Sequence, residues 1–179
     1  FHENGKGGTY NAPQFVKTGE NTVAPSTTMQ RYGYEFGGWY TDEECSVGNE
    51  FEFGSAITDT THIYAKWIPN STANYTILIW KQNVNDAKNA ADADKTYDFA
   101  ESITLSGTVG NTITAVTSSG NGDNRYARID GTSYQYTGFH LRDFDSGVTI
   151  VTEGTSVVNV YYDRNLITLT FLYRNNGNW

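Results

Sequence analysis

At 179 residues the chain has room for two domains of about 70 to 100 residues each, and its 13 Tyr, 9 Phe, 4 Trp and 18 Gly suit pleated sheets and tight turns rather than helices. A net charge of -8 and a pI near 4.7 give it no counterion-release affinity for phosphates, which argues against nucleic-acid binding. No apolar run approaches the roughly 20 residues that span a bilayer, so no membrane insertion is expected, and Cys45 is the sole cysteine, which excludes an intrachain disulfide and a four-cysteine zinc site.

In chain order, the first firm element is HIYAKW, residues 62–67. Its alternation places Ile63, Ala65 and Trp67 on one face of a strand and His62, Tyr64 and Lys66 on the other. Upstream, Gly37 and Gly38 in GGWYTD allow close backbone approach, and Trp39 supplies a large core side chain, with Trp67 closing the same core. Cys45, flanked by Glu43 and Glu44, is expected as a small, partly buried loop residue rather than a reactive thiol. The stretch IPNSTANY, 68–75, interrupts the pattern with Pro69 and is expected as a linker. TILIWKQN then has apolar groups on both faces, as a central strand would.

The stretch VNDAKNAADADK, 84–95, is the best helical candidate, Ala-rich with Asn85 or Asp86 as a cap, but its apolar face offers little but Ala, so it reads as a short exposed helix or, as the alternative, a mobile insertion. ESITLSG, NTITAVT, RYARI, TSYQYTGF and SVVNVYYD read as short strands divided by Gly, Asn and Asp turns, and NLITLTFLYRNNG as a further strand ending in an Asn-Gly turn. GYEFGGWYTD has a faint counterpart in YQYTGFHLRD, and FLYRNNGNW at 171–179 resembles FHENGKGGTY at 1–10, so the end of the chain looks like another beginning. With no Met at position 1, the chain reads as an internal piece of a longer protein.

FHENGKGGTY, the stretch from Pro25 to Gly33, GYEFGGWYTDEEC and ITDTTHIYAKW together resemble the internalin B-type repeat, also called the Listeria-Bacteroides repeat, over residues 1–67. SGTVGNTITA and TSVVNVYYDRN make residues 75–165 similar to the mucin-binding-protein (MucBP) type repeat. These resemblances imply a mainly β fold with short helices, β-grasp-like, as two small tandem modules plus the first strand of a third. The boundaries are then 1–68, a linker at 69–74, a second module at 75–165, and the start of a following repeat at 166–179. They also imply an extracellular location on a bacterial cell surface, with wall anchoring in the full-length protein, and monomeric modules in a longer chain.

Residues for catalysis are missing from the pattern. The three histidines, His2, His62 and His140, form no metal-binding spacing, and no nucleophile, base and orienter stand out, so no enzyme activity, cofactor or metal site is expected. DFDSG at 143–147 and GNGDN at 120–124 lack the calcium-loop spacing and read as turns, and GKGG at 5–8 reads as a hairpin tip rather than a phosphate cradle. Lys81 is the lysine to inspect for an intramolecular amide. The candidate ligand-binding residues are Arg125, Tyr126, Arg128, Tyr134 and Tyr136, because Tyr and Arg carry energy at interfaces. The expected partner is a host extracellular protein or glycoprotein, such as a mucin or an immunoglobulin. The competing expectation is a passive stalk that spaces a distal domain.

Overall fold

The alternation in HIYAKW becomes the closing strand of a small sheet. In the computed structural model, which describes residues 1–5 and 7–172, β2 (Tyr64–Pro69) runs antiparallel to β1 (Tyr34–Tyr40). Ile63 and Ala65 turn inward, Ala65 to 0% exposure, and pack with Met29 and Trp39; Phe1, Phe51, Phe53 and Trp67 close around them. On its other edge the strand takes the N-terminal segment in parallel: His2 bridges Tyr64, the His2 N–H donating to the Ile63 carbonyl at 2.7 Å and the Ala65 N–H to the His2 carbonyl at 3.0 Å. The Trp67 indole N–H donates to the Glu3 carbonyl at 2.6 Å, which fixes the same segment by a side chain.

The glycine pair matters through a bulge. Gly38 sits at φ +108°, open only to glycine at low cost, and the β1–β2 register shifts between Phe36 and Trp39. Three residues apart, Phe36 and Trp39 would face opposite sides of a regular strand. Here their rings meet edge to face, with centroids 5.6 Å apart.

The chain divides into two compact units, the first formed by Phe1–Asn74 with Ser106–Asn111 and Ile150–Thr155. Within it Gly33 (φ +81°) has no room for a side chain, since a Cβ would stand 2.1 Å from the Thr152 carbonyl oxygen. Lys6, within the expected GKGG hairpin tip, lies outside the described residues.

The second unit is built on a mixed sheet of order β4-β3-β9-β8, from β3 (Thr72–Gln82), β4 (Tyr97–Thr108), β8 (Phe139–Phe144) and β9 (Val157–Arg164). β3 and β9 are parallel from Thr76↔Val157 to Lys81↔Tyr162, and β8 is antiparallel to β9. Ile77, Ile79, Val158, Val160 and Tyr162 fill its buried face, while Leu78 and Trp80 are half-buried on the opposite side, as the two-faced pattern of TILIW requires. The unit also has a second, antiparallel sheet of β5 (Val116–Ser119), β6 (Tyr126–Ile129) and β7 (Thr132–Tyr134). Val116, Ala127 and Ile129 are its buried residues.

The fold is mainly β, and its helical content among the described residues is two 3-10 turns, Asp92–Asp94 and Gly122–Asn124. The helix expected over 84–95 is not formed. Its carbonyls are taken: the Arg164 guanidinium donates to Val84 O at 2.7 Å and to Asp86 O at 2.8 Å. The Asp86 carboxylate in turn accepts from the Thr96 N–H and hydroxyl, so the segment is a pinned loop. The strand expected over NLITLTFLYRNNG is also absent in its described part, residues 165–172, where no neighbouring strand pairs with it. The Asn176–Gly177 turn lies outside the described residues.

Two substitutions test the two cores. Trp39→Ala should cost about 3–5 kcal/mol by emptying the first core. Tyr162→Phe should cost about 1–3 kcal/mol by stripping partners from two buried backbone groups. Urea denaturation followed by tryptophan fluorescence measures both; a loss under about 0.5 kcal/mol in either would contradict the packing described.

Candidate functional site

The pleat of β6 sorts the candidate residues. Tyr126 and Arg128 project from the face opposite buried Ala127 and Ile129, beside Thr117, Ser119 and Ser133 of the paired strands. Arg128 is exposed, its guanidinium donating to the Gly131 carbonyl at 2.8 Å, which holds it along the β6–β7 turn. The Ser119 hydroxyl, then that of Ser133, hydrogen bonds the Tyr126 phenol and lowers its pKa by favouring the phenolate. The result is a polar face of hydroxyls with one aromatic ring and one fixed cation.

Tyr134 and Tyr136 belong to the other side. The Tyr162 hydroxyl accepts the Ala127 N–H at 2.8 Å and donates to the Tyr134 carbonyl at 2.6 Å, tying β6 and β7 to the main sheet. Tyr136 packs edge to face on Tyr162, with centroids 5.0 Å apart, and its hydroxyl donates to the Glu101 carboxylate. Burial, reinforced by that carboxylate, pushes the Tyr136 pKa well up, so it stays a neutral donor. Lys81 lies over the rings of Tyr136 and Phe139 in a cation–π position, its Nζ 5.1 Å and 5.3 Å from their centroids. Arg125 turns inward, Nη1 donating to the Arg142 carbonyl at 2.8 Å. Of the five candidates, then, the fold groups Tyr126 and Arg128 on an open face and places the other three in supporting contacts.

A charged network that sequence reasoning missed lies at one end of the main sheet. Asp163, buried on β9, accepts from Lys95 Nζ at 2.5 Å and from the Tyr97 hydroxyl at 2.7 Å; Lys95 also reaches Asp92 at 2.7 Å, and Arg142 approaches Asp92 at 3.5 Å. The hydrogen bond to Asp163, followed by that to Asp92, raises the Lys95 pKa. A buried acid that accepts from Lys95 on one oxygen and from Tyr97 on the other, with the Arg142 guanidinium near by, acts as a structural clamp. Its members are 68 residues apart at the Lys95–Asp163 bond, so no local motif could have disclosed it.

The remaining candidates have structural roles. Cys45 is buried at φ +50°, accepts a hydrogen bond from Asn4 Nδ2, and its thiol pKa is raised by desolvation, the opposite of activation. His62 is exposed and hydrogen bonds His2 at 2.9 Å. GNGDN forms the second 3-10 turn, and in DFDSG the Asp145 carboxylate accepts from the Asn159 backbone and side-chain amides at 2.9 Å and 2.8 Å.

Residues 1–66 match the family model of the Listeria-Bacteroides repeat domain. That family is typical of bacterial surface proteins and is not known as enzymatic. No curated protein and no solved structure matches the chain. No helix of the described residues is long and apolar enough to cross a membrane.

The clamp makes an alkaline limit. Because the folded Lys95 pKa is raised, its contribution to stability is whole below the ordinary lysine value of 10.5 and is lost as pH climbs through the folded value. Lys95→Met should leave Asp163 buried and unpaired, cost about 3–5 kcal/mol at neutral pH, and flatten the loss of stability above about pH 10.5. Thermal melts of both proteins from neutral to alkaline pH measure it; parallel pH curves for the two would rule the clamp out.

Proposed function

We propose that this chain is a non-enzymatic repeat region of a bacterial cell-surface protein that adheres to an extracellular host glycoprotein. The modules are taken as residues 1–68 and 75–165 joined at 69–74, the second a MucBP-like module; its parallel central strands, β-grasp in kind, support that kinship. The observation that carries the adhesive reading is the open face of the three-stranded sheet. There Tyr126 and Arg128 stand side by side at alternate positions, ringed by hydroxyls and free of the core duties that occupy Tyr134 and Tyr136. An aromatic ring gives a sugar or peptide a stacking surface, and a guanidinium held by a backbone carbonyl donates without first losing much rotamer freedom.

The alternative is a stalk whose repeats space a distal domain from the cell wall. Pinned loops and separate small cores suit it as well, since each repeat then depends on itself and its neighbours.

Arrays of glycoproteins, mucins, glycans and immunoglobulins probed with the chain separate the two. Adhesion predicts a specific ligand whose affinity drops at least about tenfold in Tyr126→Ala/Arg128→Ala, with the melting transition unmoved because neither side chain is in a core. Uniform silence across the arrays, or a ligand indifferent to that pair, would leave the stalk.

A further inference from the structure

A small hollow in the first unit is built around two glycines. Its volume is about 230 Å³, and all of its lining residues belong to that unit. One of them is Gly33, where the Thr152 carbonyl leaves no room for a side chain, and the buried Thr152 hydroxyl donates back to the Gly33 carbonyl at 3.0 Å. The other is Gly154, at φ +66°, where a Cβ would stand 3.2 Å from Cε1 of Tyr32 and 3.3 Å from its hydroxyl oxygen. Glycine therefore lets the phenol ring rest against the backbone at 154. The ring is nonetheless 72% exposed. Held on one side and open on the other, it has little rotamer freedom left to lose on meeting a ligand.

The rest of the lining is uncharged and can both give and take hydrogen bonds. Asn70, Thr72, Asn74 and Ser106 are exposed, and none of their side chains hydrogen bonds within the described residues. Amides and hydroxyls each supply donors and acceptors together. An anion calls for a cation or a cluster of donors, a metal ion for carboxylates or imidazoles, and an apolar molecule for apolar walls. The hollow has no charged side chain and no imidazole in its lining, although the chain carries a net charge of -8.

We infer that this hollow binds one neutral pyranose unit of a glycan, with a C–H face of the sugar against the Tyr32 ring and its hydroxyls on Asn70, Thr72, Asn74 and Ser106. A pyranose divides its surface in the same way as the hollow: one apolar face of C–H groups, and a rim of hydroxyls that each donate and accept. The volume lies below the roughly 300–1,000 Å³ of sites that enclose a drug-sized ligand, so it fits a single ring and leaves the rest of a glycan in solvent. Sialic and uronic acids are selected against, because the lining offers no cation and the chain is acidic. The site belongs to the first unit and is independent of the Tyr126–Arg128 face of the second.

Amide-resolved NMR titration of the chain with glucose, galactose, mannose, N-acetylglucosamine and N-acetylgalactosamine, each to about 100 mM, tests the inference, with sialic acid and glucuronate as the charged probes. At least one neutral sugar should give saturable shifts at the amides of Gly33, Ala73 and Gly154, with a Kd of about 1–10 mM as a single ring allows. The charged sugars should bind at least about tenfold more weakly. Tyr32→Ala and Asn74→Ala should each weaken binding at least about tenfold, with the melting transition unmoved because both side chains are exposed. Tyr126→Ala/Arg128→Ala should bind the sugar as the unaltered chain does, so failure of this site and failure of the adhesive face are read separately. No saturable shift with any neutral sugar, shifts away from the hollow, equal binding of the charged sugars, or an affinity that survives Tyr32→Ala or Asn74→Ala would each overturn it.

Discussion

In each unit a closing strand carries backbone partners on both edges, and the rest of that unit is arranged around this requirement. β9 lies between parallel β3 and antiparallel β8; β2 lies between antiparallel β1 and the N-terminal segment, which it meets in parallel at His2. A strand paired on both sides has its amides and carbonyls satisfied and can turn a fully apolar face to the core. Val158, Val160 and Tyr162 do so in β9, and Ala65 in β2, all at 1% exposure or less. Two stretches with little sequence in common thus share one organising device.

In the second unit that device extends through a side chain. Tyr162 carries the sheet's pairing outward by serving the Ala127 N–H and the Tyr134 carbonyl with one hydroxyl, and Tyr136 packs on its ring. The small sheet of β5, β6 and β7 is held from behind in this way, which leaves its front free. The proposed contact face exists because the aromatic residues behind it are committed to structure; Tyr126 and Arg128 can be spent on recognition because Tyr134 and Tyr136 are not.

What was legible in the sequence was what periodicity and local turn chemistry encode. Ile63, Ala65 and Trp67 share a face as their spacing requires, β3 is two-faced as TILIW requires, and Trp39 and Trp67 line one core. What was not legible depended on distant partners. The Ala-rich stretch 84–95 has helical composition, yet Arg164, about eighty residues away, takes its carbonyls. FHLRDF, half polar, did not stand out as a strand, because its partner β9 supplies the pairing that its own side chains do not advertise. The five candidate site residues are close in sequence, but the pleat sends Tyr126 and Arg128 one way and Tyr134 the other. The Lys95–Asp163 clamp had no local signal at all.

Amide hydrogen exchange across the whole chain tests the dependence on the closing strands most directly, since protection reports how much structure must open to free each amide. The slowest amides should be those of Val158, Val160 and Tyr162 with Ile77 and Ile79 in the second unit, and Ala65 in the first, with β5–β7 and residues 84–95 exchanging earlier. Slowest exchange in the three-stranded sheet or in 84–95, with β9 and Ala65 opening first, would contradict the account.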